Sequence, residues 1–454
     1  MKNEYGYLPS ETPSFGKLLL YALQQVIVMF PATVTVALIT GFQVSTTIFA
    51  SGLATLCFIL ITQRKIPLYY GSSFAYLSAV SAMVMAEGTT DQIASWQATG
   101  ILPTELISKA QFGIIMSGFI SIAAGLLVRK FGKDAVEKIL PASITGPVSM
   151  VIGLTLAGNA LSDAIAPDNA VWCIVAIITL VSTMVYSRYL KGLLGQLPLL
   201  LGALTGCAVA GVFALFGINL FRSIPTEALN SLWSLGPFAI PAFSLPRYSW
   251  AALIGIMPIA IATIPESTAH VYQLDLYVQD IAKKKGVEAE RIENLLDKNL
   301  IGDGMCDMIS GFVGGPAGTN YGENISTMAI TKVFSIPVLI AASIIAMIIS
   351  CFTPLIQGIY AIPLAVIGGL EIYLFGAIAA QGIAIMIDKK VDMFDSKNIA
   401  VIATIVVVGL GGQYAFGGNI PLFGMNIPCV AGAAIAGILT NIILSFKKKG
   451  VLNE

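Results

Sequence analysis

The sequence predicts an all-α polytopic membrane protein, with 14 transmembrane segments arranged as two inverted repeats of seven. Three observations carry this expectation. The chain is 56% hydrophobic and 11% charged, with a mean hydropathy of +0.84. Its basic residues fall almost entirely on one side of the expected spans. Two short sequence patterns recur in spans that lie seven apart.

Composition sets the class. Soluble domains are about 45–50% apolar and about 25% charged, so 454 residues with so few charges could not cover a water-facing surface. Disorder and a secreted disulfide scaffold are excluded by the same argument. Lys plus Arg equals Asp plus Glu at 25 each, so no basic surplus exists to bind nucleic acid. The partner this composition calls for is the lipid bilayer. Cys57, Cys173, Cys207, Cys306, Cys351 and Cys429 lie far apart, mostly in apolar runs, and read as small hydrophobes. The first 16 residues are polar, and no small-residue cleavage site follows the first apolar run. The N-terminus is therefore expected to remain in the cytoplasm.

A helix needs about 20 apolar residues to cross the hydrocarbon core. Full-length runs cover roughly 17–38, 44–62, 110–128, 139–160, 171–187, 193–217, 250–270, 335–353, 364–387, 398–412 and 425–445. Two shorter segments, 66–84 and 317–333, are interrupted by Gly, Ser and Asn. A further stretch, 295–313, is apolar but carries Asp303 and Asp307. With all of these as spans, 22 basic residues fall on the cytoplasmic side and only Lys109, Arg222 and Arg247 on the other. Dropping one weak span would invert every later loop and destroy that bias. Both termini are then cytoplasmic.

The interrupted segments share a pattern. Tyr70-Gly71-Ser72-Ser73-Phe74 lies in span 3, and Tyr321-Gly322-Glu323-Asn324-Ile325 in span 10. A second echo joins Leu140-Pro141 and Gly146 in span 5 to Ile362-Pro363 and Gly368 in span 12. Seven is odd, so the second half must run inverted. Broken spans in matching positions of inverted repeats mark the midplane site of a secondary transporter. Non-helical backbone at that depth is tolerated only beside protein or a water-filled cavity. Its exposed N–H groups, backed by helix N-termini, can bind electronegative groups.

Ionisable residues inside spans are costly and point to function. Glu266, His270, Asp307, Glu323 and Glu371 stand out. Glu266 follows Pro265 late in span 8, and His270, the one histidine of the chain, lies one turn on along the same face. Glu323 sits in broken span 10. Asp307 is expected near a helix end in contact with water. Glu371 follows Gly368-Gly369, a pattern for close helix packing beside a cavity. Taking a carboxylate out of water favours its neutral form, so such a group can take up a proton and release it when the site changes sides. No lysine or arginine lies near a span centre. A proton or cation therefore fits as coupling partner better than an anion fits as substrate.

These residues resemble a known family. Gly322-Glu323-Asn324-Ile325-Ser326 through Thr331-Lys332 resembles the signature of nucleobase–ascorbate transporters. Lys65-Ile66-Pro67 through Gly71-Ser72-Ser73-Phe74-Ala75 is similar to the span-3 segment of bacterial uracil permeases, and Pro265-Glu266 with His270 is similar to their span-8 acid and histidine. The resemblance runs from Leu23-Gln24-Gln25 to the last span. It implies a core domain of spans 1–4 and 8–11 (residues 1–138 and 250–360) and a gate domain of spans 5–7 and 12–14 (139–249 and 361–454). It also implies short antiparallel strands in spans 3 and 10, and pairing of two copies through the gate domain. Carried over residue by residue, Glu266 and Glu323 would bind a nucleobase. Phe74, Ser73, Tyr321 and the Gly322 backbone would line its pocket, and Glu266, His270 and Glu323 would couple protons. Asn324, Gln25 and Thr331 would support them. No cofactor and no metal is implied, and the activity is transport across the cell membrane rather than catalysis.

The sequence departs from the family pattern in places. Ser326 replaces a signature glycine, and Gln25 stands where uracil permeases often carry His and bears on the support of span 8. Phe375 holds a span-12 position where a Tyr can face substrate, with Tyr373 nearby. Ser267-Thr268-Ala269 is unlike the usual filling between the span-8 acid and histidine. The leading expectation is proton-coupled import of uracil. A xanthine or urate carrier stands second, although purine carriers often have Gln at the position of Glu323. A SulP-like anion transporter of the same architecture stands third. A membrane enzyme lacks any metal-ligand pair, nucleophile elbow or phosphate loop in this sequence.

Overall fold

The computed structural model describes residues 6–132, 140–223, 234–235, 237–422 and 425–445. The expected cytoplasmic Lys2, Lys133, Lys138, Lys447, Lys448 and Lys449 lie outside them, as do both chain ends. In chain order the first half holds α1 (Phe15–Thr40), α2 (Val44–Ile61), β1 (Tyr70–Ser72), α3 (Leu77–Glu87), α4 (Thr90–Thr99), α5 (Thr104–Phe131), α6 (Ala142–Thr155), α7 (Ala157–Ala164), α8 (Ala170–Tyr189) and α9 (Pro198–Leu215). A short ribbon, β2 (Ser234–Leu235) with β3 (Phe238–Ala239), follows. The second half holds α10 (Trp250–Ile256), α11 (Ala260–Lys285), α12 (Leu296–Val313), β4 (Gly318–Asn320), α13 (Gly322–Thr331), α14 (Ile336–Ser350), α15 (Thr353–Tyr360), α16 (Leu364–Asp388), α17 (Ser396–Phe416), the hairpin β5 (Asn419–Leu422) and β6 (Met425–Pro428), and α18 (Cys429–Ser445).

Among the described residues, nine helical stretches are long and apolar enough to cross a membrane. Three shorter apolar helices accompany them: Phe74–Glu87, Ile336–Ser350 and Cys429–Ser445. The apolar windows of α8, α9 and α17 are only 22%, 17% and 22% buried in the protein. A helix apolar all round that the protein does not cover must face lipid. Ile177, Leu204, Val407 and Ile443 are among the exposed side chains on these faces and on α18. The chain is therefore a multi-pass membrane protein.

Local sequence explains how elements begin and end. Thr89 and Gln92 form a reciprocal capping box at α4. α1 stops at Gly41, whose φ of 81° is open to glycine at no steric cost. The apolar run expected to end at 270 is continued by helix to Lys285, because the charged residues beyond 270 are good helix formers and the helix ends only at Gly286. Glu266 therefore sits in the first third of α11 rather than at its end.

α5 packs against α12, and α14 against α1 and α2. α16 packs against α6, α7 and α8, and α17 against α18. Between these groups β1 and β4 pair antiparallel, Tyr70 opposite Asn320 and Ser72 opposite Gly318. Each strand runs into a helical turn, at Phe74–Tyr76 and at Gly322. The structure thus places two helix N-termini beside one short strand pair.

Candidate functional site

The first strand–helix corner is held by hydroxyls. Ser51 Oγ and Thr55 Oγ1 donate to the Tyr70 carbonyl at 2.8 and 3.0 Å, and Tyr70 N–H donates to Thr55 Oγ1 at 3.0 Å. Ser73 Oγ accepts from Ala75 N–H at 3.3 Å and so caps the next turn. The Tyr321 ring lies where a Cβ on Gly71 would be, so only glycine fits that strand position. The Tyr321 hydroxyl donates to the Ser72 carbonyl and pairs with Thr33 Oγ1, both at 3.0 Å. Tyr321 thereby ties both corners to α1.

The second corner is held by acids and amides. Asp307, on α12, accepts from the Tyr70 hydroxyl at 2.5 Å and from Gly318 N–H at 2.9 Å, so one carboxylate clamps both strands. It is 2% exposed, which corrects the expectation of water contact: the strand pair, not solvent, satisfies it. One turn earlier, Asp303 accepts from Ser267 Oγ and, at 3.3 Å, from Asn320 Nδ2. Asn299 Nδ2 donates to Ser267 Oγ at 2.6 Å, and Asn320 Nδ2 also reaches Asn299 Oδ1 at 3.0 Å. Ser267, Asn299, Asp303 and Asn320 form one buried network immediately behind Glu266.

Between the corners lies a cavity of about 410 Å³. Glu266, His270, Ser73, Phe74, Tyr321, Gly322 and Glu323 all line it, as do Ser326 and, from α16, Tyr373 and Gln381. Glu323 stands in the first turn of α13 and is exposed to the cavity, where the helix N-terminus favours its negative charge. Glu266 and Glu323 thus reach one cavity from two different helices. His270 places its Nε2 2.9 Å from where a Cβ on Gly322 would stand. Its other ring nitrogen is buried without a partner. The histidine is thus wedged between the Glu266 helix and the second corner. Among the described residues, no lysine or arginine lines the cavity.

The supporting residues divide. Asn324 Nδ2 donates to Gln25 O at 3.0 Å and to Gln25 Oε1 at 2.8 Å. Gln25 therefore braces the Glu323 helix α13. Thr331 Oγ1 donates to Thr327 O at 2.8 Å within its own helix and is not among the residues lining the cavity. The aromatic ring from α16 at the cavity is Tyr373, its hydroxyl donating to Ser187 Oγ at 2.6 Å, while Phe375 is buried in the layer behind Phe74. Ser326, which replaces the signature glycine, faces the cavity instead of a tight helix contact. Sequence reasoning missed Ser267, Asn299 and Asn320 and gave Asp303 no role. The signal present was a run of polar residues at i and i+4 spacing, Asn299, Asp303 and Asp307, on one face of a helix that is largely apolar beyond its first turn.

Comparison with known proteins agrees with this arrangement. A family model described as the Permease family matches residues 16–418. The chain is 33% identical over 451 residues to the uracil permease of Bacillus caldolyticus, covering 98% of this chain and 95% of that one. It is 33% identical over 445 residues to the uracil permease of Bacillus subtilis strain 168, covering 94% and 93%. Its fold is similar to the murine anion transporter Slc26a9, with a TM-score of 0.65 at 12% identity over 96% of this chain and 69% of that one. The match across nearly the whole chain marks a transporter rather than an enzyme: the chain belongs to the permease family, the nucleobase–ascorbate transporters that its span-3, span-8 and span-10 segments resemble.

Proposed function

We propose that the chain imports uracil across the cell membrane by alternating access, coupled to protons. The observation that carries this reading is the shared cavity of Glu266 and Glu323, with Phe74 and two helix N-termini at its wall. Uracil is a flat ring with two N–H donors and two carbonyl acceptors. The two carboxylates can accept from the N–H groups through charge-assisted bonds. The backbone N–H groups at the corners can donate to the carbonyls, and Phe74 can cover a face of the ring. The uracil permeases among the relatives support the same substrate. Slc26a9 is an anion transporter, but a cavity lined by two acids and, among the described residues, by no lysine or arginine weighs against an anion here.

The coupling ion is the proton, taken up by Glu266 and Glu323 with His270 tuning the exchange. The working architecture has 14 crossings in two inverted repeats, both termini cytoplasmic. A core domain (1–138, 250–360) carries the strand pair, and a gate domain (139–249, 361–454) faces it across the cavity and pairs with a second copy. The cavity is lined from both sides of that boundary, by α11 and α13 on one and by α16 on the other, as rocking of one domain against the other requires.

The test is a labelled-uptake panel of uracil, xanthine, hypoxanthine and sulfate in cells lacking their own permeases. Uracil uptake should saturate, rise as external pH falls, and collapse with a protonophore. Saturable xanthine uptake that uracil does not compete, or full uptake driven by sodium alone, would refute the reading. His270→Ala should leave binding within a few-fold and preserve exchange of labelled for unlabelled base, yet cut uphill accumulation. Equal losses in all three, on matched amounts of folded protein, would reduce His270 to a packing residue.

A further inference from the structure

A second cavity, of about 760 Å³, lies at the end of the molecule that carries Arg222. In the orientation proposed above this is the outer face. A buried apolar layer of Val36, Leu77, Leu156, Ala160, Leu374 and Phe375 separates it from the central cavity. Leu156 lines the outer cavity, while Leu374 lines the central one.

The outer cavity holds a pair of acids. Glu371, on α16, is 1% exposed, and its Oε2 is buried with no partner at the cavity wall. Asp163, on α7, lines the same cavity. Gly368, one turn before Glu371, lies against the Asp163–Ala164 backbone so closely that a Cβ would collide with it, which sets the two acids face to face. Two carboxyl groups held together out of water repel as anions, and one shared proton removes that repulsion. Among the described residues, Arg222 is the one other charged group that lines this cavity. Arg222 is pinned through its backbone, N–H to Ala361 O at 3.1 Å, while its Nη2 reaches across the cavity to Thr99 O at 3.4 Å. Gly100, at φ +71°, leaves the space the guanidinium enters. Arg222 therefore bridges the segment before α16 and the loop that follows α4.

We propose that the Asp163–Glu371 pair is a proton-binding site of the outer cavity, and that Arg222 couples its occupancy to closure of that cavity. With one shared proton the pair carries a single negative charge, and Arg222 remains on Thr99. When that proton passes to external water the pair carries two. The attraction on Arg222 rises, its long contact to Thr99 is given up, and the α4 loop is released. External acid therefore closes the outer side, a step that proton-driven uptake also requires once substrate is bound, and external base opens it. The proposal rests on the orientation in the reading above but on no particular substrate.

The native thiol of Cys429 tests it, because that residue lines the same cavity and is only 3% exposed. Labelling by a membrane-impermeant maleimide is followed by mass spectrometry in right-side-out vesicles, against external pH, with a free thiol correcting for reagent chemistry and Cys429→Ser as control. In the parent, corrected labelling should rise at least about five-fold from acid to alkaline pH, the scale of an ordinary coupling. Glu371→Gln and Asp163→Asn remove the second charge and should keep labelling low throughout. Arg222→Ala removes the bridge and should keep it high throughout. A parental pH profile in both acid variants, or low labelling in Arg222→Ala, overturns the proposal. If Glu371→Gln fails to fold, Asp163→Asn decides. No step requires uracil, so the outcome stands apart from the uptake panel.

Discussion

The two strand–helix corners share a backbone plan and one carboxylate, Asp307, that reaches into both, but their other surroundings differ. The corner at Tyr70–Phe74 is braced by Ser51, Thr55 and Ser73, all neutral hydroxyls, and presents an aromatic ring. The corner at Gly318–Glu323 is braced by Asp307 and by the Asn320–Asp303–Ser267 network, and presents a carboxylate. Equivalent geometry is thus divided into a stacking half and a hydrogen-bonding half. A flat polar ligand needs both, and neither corner alone could supply them.

This contrast can be broken in four places. Asp307→Ala leaves the Tyr70 hydroxyl and Gly318 N–H buried and unpaired, and should lower stability by ~2–4 kcal/mol. Thermal unfolding in detergent reads it, and Asp307→Asn, which keeps an acceptor, should lose less. Glu323→Gln replaces a charged acceptor by a neutral one and should weaken uracil binding by ~1.5–3 kcal/mol, about 10–150-fold. Unchanged affinity in equilibrium binding would remove Glu323 from the site. Phe74→Ala should cost ~1–2 kcal/mol of binding, roughly 5–30-fold, with the pH dependence of uptake retained. A lost pH dependence would mean that the ring does more than stack. Thr55→Val removes one hydroxyl from the first brace and should cost about 1 kcal/mol in unfolding. If Thr55→Val destabilises as much as Asp307→Ala, the two corners are not braced differently.

The sequence showed much of this and hid the rest for physical reasons. Apolar runs are local, so the helices could be read directly. α11 was read short because its last four turns are charged, and α4 was not read at all because it is polar: hydropathy does not follow helix into water. Glu266 and Glu323 stood out because an acid among apolar residues is visible one residue at a time. Ser267, Asn299 and Asn320 did not, because small polar residues are common in spans and gain meaning only when three separate segments meet. Glu371 was visible as an acid beside paired glycines, but its partner Asp163 was not, since only the fold brings α7 and α16 together.

The clamp made by Asp307 also constrains how the chain can be made. Tyr70 and Asp307 are 237 positions apart. At a synthesis rate of about 5–20 residues per second, the first strand waits roughly 10–50 s for the segment that completes it. Through that interval its backbone N–H and C=O groups lack their cross-strand partners, a state hydrocarbon does not tolerate. The nascent first half must therefore shelter that segment in the insertion machinery, in a water-filled defect or against its own neighbouring helices. A chain truncated before α12 should for the same reason be recognised by membrane quality control as unfinished.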